Sequence, residues 1–281
     1  MVAFDEPPLR PSISQEALRR NTALHVRARS ALEKVLTVCA REGIDALPVK
    51  GIVTAYQLYD HISERRISDV DLRVAPADVL RILIVACREG WQLRQYWPEA
   101  GVVDFFVERI SIDVKSTIDT PGCWPLGIQE MIARADRLQS PDGAIRLRPE
   151  LYDHALLLCE NVLKDMCEGA HEWALDDVER IVRLPNFEIG LFLERARAAR
   201  VRGLVWIVAQ WMATERSSEA WREIRDRIGA SPRPFYTRLF FCSLQRKKSS
   251  ATRRYLSRCV SDNASDWARV IWTGSKKAFD S

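Results

Sequence analysis

Two carboxylates stand two residues apart in residues 68–74, a segment that alternates between polar and apolar side chains. If this segment forms a β-strand, Asp69 and Asp71 point to one face, and the apolar residues between and after them point to the other. Their backbones then lie roughly 6–7 Å apart, because a strand rises about 3.3 Å per residue. This spacing suits one divalent cation, or a close pair of cations, held against the phosphates of a substrate.

A third carboxylate follows the same logic in residues 110–115. Asp113 and Lys115 fall on the face opposite to the apolar side chains of that segment. If this strand lies beside the first, Asp113 joins Asp69 and Asp71 on the polar face of one sheet. Carboxylates so placed repel one another unless a cation neutralises them, so the pattern predicts a metal site. Lys115 could neutralise Asp113 or contact a phosphate.

A Lys-Gly pair precedes these strands, between a short apolar segment, residues 46–49, and a helical segment, residues 52–60. The N-terminus of a helix presents free N–H groups and a positive dipole end, which together favour a bound phosphate. Gly51 has no Cβ to block a close approach, and Lys50 adds a mobile positive charge. We therefore expect Lys50 and Gly51 to bind a triphosphate.

The segments LPVKGIVTAYQLYD, RRISDVDLRV and SIDVKS together resemble the nucleotidyltransferase superfamily that includes DNA polymerase β. The resemblance is greatest to a bacterial branch whose glycine turn carries Lys-Gly in place of Gly-Ser. It covers about residues 44–185, since the segments YDHALLLCENVLKD and HEWALDDVERIVRL also look like the helical region of that branch. The resemblance implies that Asp69 and Asp71 bind metal, and that Asp113 completes the site and helps to activate the attacking hydroxyl.

The activity that this resemblance implies is Mg²⁺-dependent transfer of a nucleotidyl group from a nucleoside triphosphate to a hydroxyl-type acceptor. Two Mg²⁺ ions are expected, with the triphosphate bound by Lys50, Gly51, Arg66 and Lys115. Ile52 stands where commoner members carry a serine, so Lys50 takes over the role of the missing hydroxyl. The acceptor, which could be a small molecule, an RNA or a protein, is not identified by the sequence.

Two other functions fit the same residues. A toxin-like enzyme would modify RNA or protein with the same site, and the basic residues 246–248 would then contact the RNA. A non-catalytic module would bind a nucleotide or a partner without turnover. Arg65 and Arg66 could reach a triphosphate or form a solvated loop pair, and Asp176 and Asp177 could face the cleft or a solvated helix surface.

The elements that position these residues change in character near residue 148. Residues 1–148 alternate between helical and strand patterns, and predict a nucleotidyltransferase-like domain with a small mixed β-sheet and flanking helices. Residues 149–281 predict an all-helical domain that closes one side of the cleft. The fold class is therefore α+β.

Individual elements can be predicted from periodicity and from turn residues. Ser14 predicts the cap of a helix that runs to about Arg41 and stops at Gly43. Strands are predicted at residues 46–49, 68–74, 102–107 and 110–114, and a hairpin turn at 140–143. Helices are predicted at residues 52–60, 76–90, 150–166, 171–184, 187–199, 201–214, 217–228, 234–245 and 264–273.

The bulk composition agrees with an ordinary globular protein. Of its 281 residues, 47% are hydrophobic and 28% are charged, with a formal net charge of +4, which suits an anionic ligand without indicating a nucleic-acid binder. The seven cysteines form no zinc-ligand pattern, and their scatter favours a reducing compartment. Since no apolar run is long enough to span a membrane, we expect a cytoplasmic protein with no membrane partner.

Overall fold

The computed structural model describes residues 14–118, 127–139, 145–168 and 172–231. Its elements, in chain order, are α1 (Gln15–Arg41), β1 (Leu47–Val49), α2 (Gly51–Leu58), β2 (Asp69–Arg73), α3 (Val79–Arg88), β3 (Gln92–Trp97), β4 (Val102–Val107), β5 (Ile110–Lys115), α4 (Ile128–Arg134), β6 (Asp136–Gln139), β7 (Ile145–Arg148), α5 (Leu151–Glu168), α6 (Glu172–Val182), α7 (Ile189–Ala198), α8 (Arg202–Glu215) and α9 (Glu219–Ile228).

Five strands form a mixed sheet in the order β1-β2-β5-β4-β3. The β2 and β5 strands pair in parallel, and the other neighbours pair antiparallel. The β6 and β7 strands form a separate hairpin. This confirms the predicted fold class, a small mixed sheet with flanking helices followed by a helical part.

One face of the sheet is apolar because alternate residues of its strands are hydrophobic. Val70, Leu72, Ile112 and Val114 are fully buried on this face, where they pack against α1 and α3. Helix α1 begins at the predicted cap, where the Ser14 side chain accepts a hydrogen bond from the Ala17 backbone N–H. The metal-ligand candidates of the strands must therefore lie on the opposite face.

The opposite face is covered at its β1 side by the C-terminal helices. Leu47 and Val49 are fully buried and belong to a second hydrophobic core, which is formed mainly by α5 to α9. Helix α4, the end of α2 and strand β7 also contribute to this core. The helical part therefore packs directly on the sheet, although the predicted boundary at residues 148/149 stays a prediction.

Two elements were not expected from the sequence, namely strand β3 and helix α4. The predicted hairpin turn at 140–143, the predicted helices at 234–245 and 264–273, and the basic residues 246–248 lie outside the described residues. Within the described part of the chain, no helix combines the length and the apolar composition that crossing a membrane requires.

Candidate active site

The three predicted metal ligands are brought onto two neighbouring strands. In the parallel pairing of β2 with β5, Asp71 lies directly beside Asp113, and Asp69 lies beside Ser111. All of these side chains point to the face opposite to the apolar core, because alternate residues of a strand share a face. The expectation that the two strands are neighbours is therefore confirmed.

A fourth carboxylate, Asp104, extends this row onto β4. The antiparallel pairing of β4 with β5 places Asp104 directly beside Asp113. Asp71, Asp113 and Asp104 therefore follow one another across three adjacent strands on one face. Asp104 was not among the predicted site residues, because the sequence of the β4 segment indicates only a further strand of the sheet.

Two cations compensate the charge of Asp71. The Nζ atom of Lys50 lies 3.6 Å from Asp71 Oδ1, and Nη1 of Arg73 lies 3.7 Å from the same oxygen. Arg73 follows Asp71 on the same face of β2 and is fully buried. Its Nε and Nη2 atoms have no hydrogen-bond partner among the described residues, so its charge is balanced mainly by Asp71.

The Lys-Gly pair is positioned by the pairing of β1 with β2. Val49 lies opposite Asp71, so the next residue, Lys50, is placed beside the carboxylates. Gly51 is the first residue of α2, one residue before the predicted start of this helix. A Cβ at Gly51 would lie 3.3 Å from Cγ2 of Ile67, so close packing also favours glycine at this position.

Burial and charge both act on the groups around Lys50. Burial alone would lower the pKa of Lys50, but the negative charges of Asp71 and Glu160 outweigh it and raise that pKa. The pKa of Asp69 is also raised, first by burial and then by the charge of Asp71. Lys50 is therefore held as a cation, whereas the Ser68 hydroxyl and the charge of Lys50 compensate the ionised form of Asp69 only in part. A bound cation would remove this imbalance.

Asp113 and Asp104 respond oppositely to their shared surroundings. Burial would raise the pKa of Asp113, but the charge of Lys115 and its hydrogen bond to Asp113 keep that pKa below its ordinary value. The pKa of Asp104 is raised to about 7 by burial, by the charge of Asp113 and by a hydrogen bond with Asp113. Near neutral pH the pair can therefore hold a proton on Asp104 while Asp113 stays ionised.

In the described structure, neither Arg65 nor Arg66 is bonded to the candidate metal ligands Asp69, Asp71 and Asp113. The guanidinium of Arg65 pairs with Asp177, with Nε 2.9 Å from Oδ1 and Nη2 2.8 Å from Oδ2. Arg66 is exposed, and its backbone carbonyl accepts a hydrogen bond from Arg65. The solvated helix surface considered for Asp176 and Asp177 is wrong, because both side chains are buried.

A hydrogen-bonded chain joins the backbone of Lys50 to the helical part. The Thr54 hydroxyl donates to the Lys50 carbonyl oxygen at 2.7 Å, and its oxygen lies 3.3 Å from Nε2 of His154 on α5. The other ring nitrogen of His154 lies 3.0 Å from Oε1 of Gln57. Contacts with His154 of α5, through Thr54, thus hold the turn that carries Lys50 in place.

Among the described residues, none covers the polar face on its β3 side. Gln95 lies beside Asp104, and Trp97 lies beside Val102 in the pairing of β3 with β4. Gln95 is exposed, and 47% of the surface of Trp97 is accessible. An acceptor that approaches the carboxylates from this side would meet an amide and an aromatic surface. The sequence did not indicate this feature, because β3 was not predicted.

The chemistry of the donor set fits a hard divalent cation. Asp69 and Asp71 supply carboxylate oxygens, which Mg²⁺ prefers, and both side chains retain partial exposure. In the described part of the chain, however, no three His, Cys, Asp or Glu side chains converge closely enough to hold a metal ion. The carboxylates are instead paired with Lys50, Arg73, Lys115 or, for Asp69, the Ser68 hydroxyl.

Comparisons with known proteins give one family. The model of a protein family described as "Uncharacterised nucleotidyltransferase" matches residues 6–215 of this chain. No curated protein matches it. A solved structure described as "Structure of tRNA-processing enzyme complex 3" is similar over 84% of this chain and 89% of that chain, with 12% sequence identity and a TM-score of 0.30.

Proposed function

The chain belongs to the family of uncharacterised nucleotidyltransferases, and on this premise we propose that it transfers a nucleotidyl group from a nucleoside triphosphate to a hydroxyl-type acceptor, with Mg²⁺. The observation that carries the proposal is the pairing of Asp71 with Asp113 on parallel strands, with Lys50 beside them at the start of a helix. Carboxylates, a cation and a helix N-terminus are the groups that a metal-bound triphosphate requires.

Each residue has a role in this proposal. Asp69 and Asp71 would hold Mg²⁺, which on binding would neutralise charge on the triphosphate. Lys50 and the backbone N–H groups at Gly51 bind the β- and γ-phosphates and stabilise the departing pyrophosphate. Asp113 orients the acceptor hydroxyl. The acceptor oxygen then bonds to the α-phosphorus as the bond from the α-phosphorus to the bridging oxygen breaks. Pyrophosphate departs with that oxygen, and the hydroxyl proton passes to solvent water.

The acceptor is proposed to enter over β4 and β3. The β1 side of the same face is closed, because Leu47 and Val49 are buried beneath the helices. The β3 side presents the exposed Gln95 and the half-exposed Trp97 next to Asp104. This direction places the triphosphate at the Lys50 side and the acceptor at the Asp104 side, with Asp71 and Asp113 between them.

The proposal is tested by adding the purified chain to a heat-inactivated cell extract, in which endogenous kinases and polymerases are inactive, and following label from nucleoside triphosphates into its small-molecule, RNA and protein fractions. Label from the α-phosphate should enter one fraction in the presence of Mg²⁺, whereas label from the γ-phosphate should appear only in pyrophosphate. Asp71→Asn should abolish the incorporation, because the central carboxylate is lost. Asp45→Asn, a change at an exposed aspartate that pairs with Arg137, should leave it unchanged. Incorporation of γ-label, or full activity in Asp71→Asn, would contradict the proposal.

A further inference from the structure

Lys115 is bound to the carboxylate that would complete a second metal site. Its Nζ atom donates a hydrogen bond to Asp113 Oδ2, and both side chains are only partly exposed. The other carboxyl oxygen of Asp113, Oδ1, is buried. An ammonium ion therefore already occupies the accessible oxygen of this carboxylate. A divalent cation could bind there only after displacing Lys115.

A second cation makes that displacement unfavourable. Arg73 lies directly beside Lys115 in the pairing of β2 with β5, and its positive charge acts on Asp113 as well. Because Arg73 is fully buried, it cannot move into solvent to make room for a dication. A divalent ion at Asp113 would thus have to displace the Lys115 ammonium and would still face the fixed positive charge of Arg73.

Asp69 is in the opposite situation. Its side chain accepts a hydrogen bond from the Ser68 hydroxyl at 2.9 Å, and no described residue forms an ion pair with it. Its neighbour on the same face of β2 is another carboxylate, Asp71. Uncompensated negative charge is therefore concentrated at the Asp69 end of the strand, which is where a dication is stabilised most.

The charges of the site are consistent with a single metal ion. The three predicted ligands, Asp69, Asp71 and Asp113, are matched in number by three cations, Lys50, Arg73 and Lys115. A site made of carboxylates alone depends on metal ions for all of its positive charge. Here the side chains provide much of that charge, since Lys50 and Arg73 pair with Asp71 and Lys115 pairs with Asp113.

From this arrangement, and resting on the proposed function, we infer that the Lys115 ammonium takes the place of a second Mg²⁺. The site would then bind one divalent ion per nucleotide, at Asp69 and Asp71. Lys115, held by Asp113, would donate a hydrogen bond to the attacking acceptor oxygen or to an α-phosphate oxygen and neutralise the charge that develops there.

The inference is tested by counting metal ions rather than turnovers. The purified chain is dialysed to equilibrium with Mn²⁺ and the α,β-methylene analogues of ATP, GTP, CTP and UTP, and bound manganese is measured per bound nucleotide. One manganese per nucleotide is expected in the wild type and in Lys115→Arg, which keeps the charge. A ratio above one, approaching two at high Mn²⁺ concentration, is expected in Lys115→Ala, because Asp113 is then no longer bound by an ammonium and only the charge of Arg73 opposes a second ion.

Lys34→Ala provides the matched control, since Lys34 forms a comparable pair with Glu108 on an exposed surface. This variant should keep the ratio of one. Two manganese ions per nucleotide in the wild type, or an unchanged ratio in Lys115→Ala, would overturn the inference. The wild-type count decides this even if a variant fails to fold. If none of the four analogues binds in the presence of manganese, the proposed function is refuted, and the inference with it.

Discussion

Lys50 has a backbone conformation that residues other than glycine rarely adopt. Its φ of 57° and ψ of −135° place it outside the regions that L-residues favour. Such a conformation costs on the order of 1–3 kcal/mol and persists where the surrounding structure imposes it, frequently at functional sites. Here the Lys50 carbonyl is held by Thr54, and its ammonium lies 3.6 Å from Asp71.

We therefore predict that Lys50→Gly and Lys50→Ala differ in stability but not in function. Both variants should lose most of their affinity for the triphosphate, because both lack the ammonium group. Lys50→Gly should be more stable than Lys50→Ala by about 1 kcal/mol, since only glycine relieves the strain. Urea unfolding gives the free energies, and the change in melting temperature on adding a nucleoside triphosphate reports binding. Equal stability of the two variants would show that the turn stores no strain.

Asp104 could have been predicted as a site residue from the length of the connection between β4 and β5. Val107 and Ile110 pair directly, so only two residues connect β4 to β5. Such a short connection fixes the register of a hairpin. Counting back from it pairs Asp104 with Asp113. The Asp-x-Asp motif alone is sufficient to predict the site residues on β2, whereas predicting Asp104 requires the register of the β4–β5 pair.

At the level of elements, strands with clear alternation were predicted and one without it was not. The strands β2, β4 and β5 each carry an apolar face that packs on α1 and α3. Because only one face of each strand is buried, hydrophobic and polar residues alternate along its sequence. Strand β3 lies at the edge of the sheet, is mostly exposed, and contains an irregularity between Leu93 and Gln95. Because of these features, hydrophobic and polar residues do not alternate along β3. The strand is therefore recognised from its pairing with β4 and not from its own sequence.

His154 connects helix α5 to helix α2 and is completely buried. Its ring lies within hydrogen-bonding distance of Thr54 and Gln57. Burial lowers the pKa of His154 from 6.5 to about 4. As the pH falls below 6.5, the unfolded chain takes up a proton that the folded protein does not, so folding becomes less favourable until the pH reaches about 4.

We predict that this histidine lowers the stability of the protein by about 1 kcal/mol between pH 7.5 and pH 5.5. Urea unfolding at the two pH values should show a smaller loss in His154→Gln, which keeps polar atoms but cannot be protonated. His61→Gln, at an exposed histidine, should behave like the wild type. An identical loss in His154→Gln and the wild type would exclude His154 as the source.

At the scale of the whole molecule, a buried ion pair joins the sheet region to the helical part. Asp177 of α6 is fully buried, accepts hydrogen bonds from Arg65, and accepts another from the Tyr59 hydroxyl at 2.7 Å. Arg65 and Tyr59 lie between α2 and β2, so the pair fixes α6 beside the segment that leads to Asp69. Sequence periodicity could not reveal this contact, because its partners are 112 residues apart.

We predict that Arg65→Ala destabilises the protein by about 3–5 kcal/mol, because it leaves Asp177 buried without a counter-charge. The double variant Arg65→Ala/Asp177→Ala should lose less than the sum of the two single variants. Arg227→Ala, which breaks an exposed pair with Glu223, should cost less than about 1 kcal/mol. Additive single effects in urea unfolding would show that the pair contributes no coupling.

The central claim, that these carboxylates hold a metal-bound triphosphate, is tested most directly by thermal stabilisation. The melting temperature is measured with each of the four nucleoside triphosphates, with and without Mg²⁺, for the wild type and the Asp69→Asn/Asp71→Asn variant. A ligand present at about 100 times its Kd adds about 2.7 kcal/mol to the stability of the folded state. At least one triphosphate should raise the melting temperature of the wild type only when Mg²⁺ is present, and it should fail to do so in the variant. No increase with any triphosphate, or an equal increase in the variant, would contradict the proposed site.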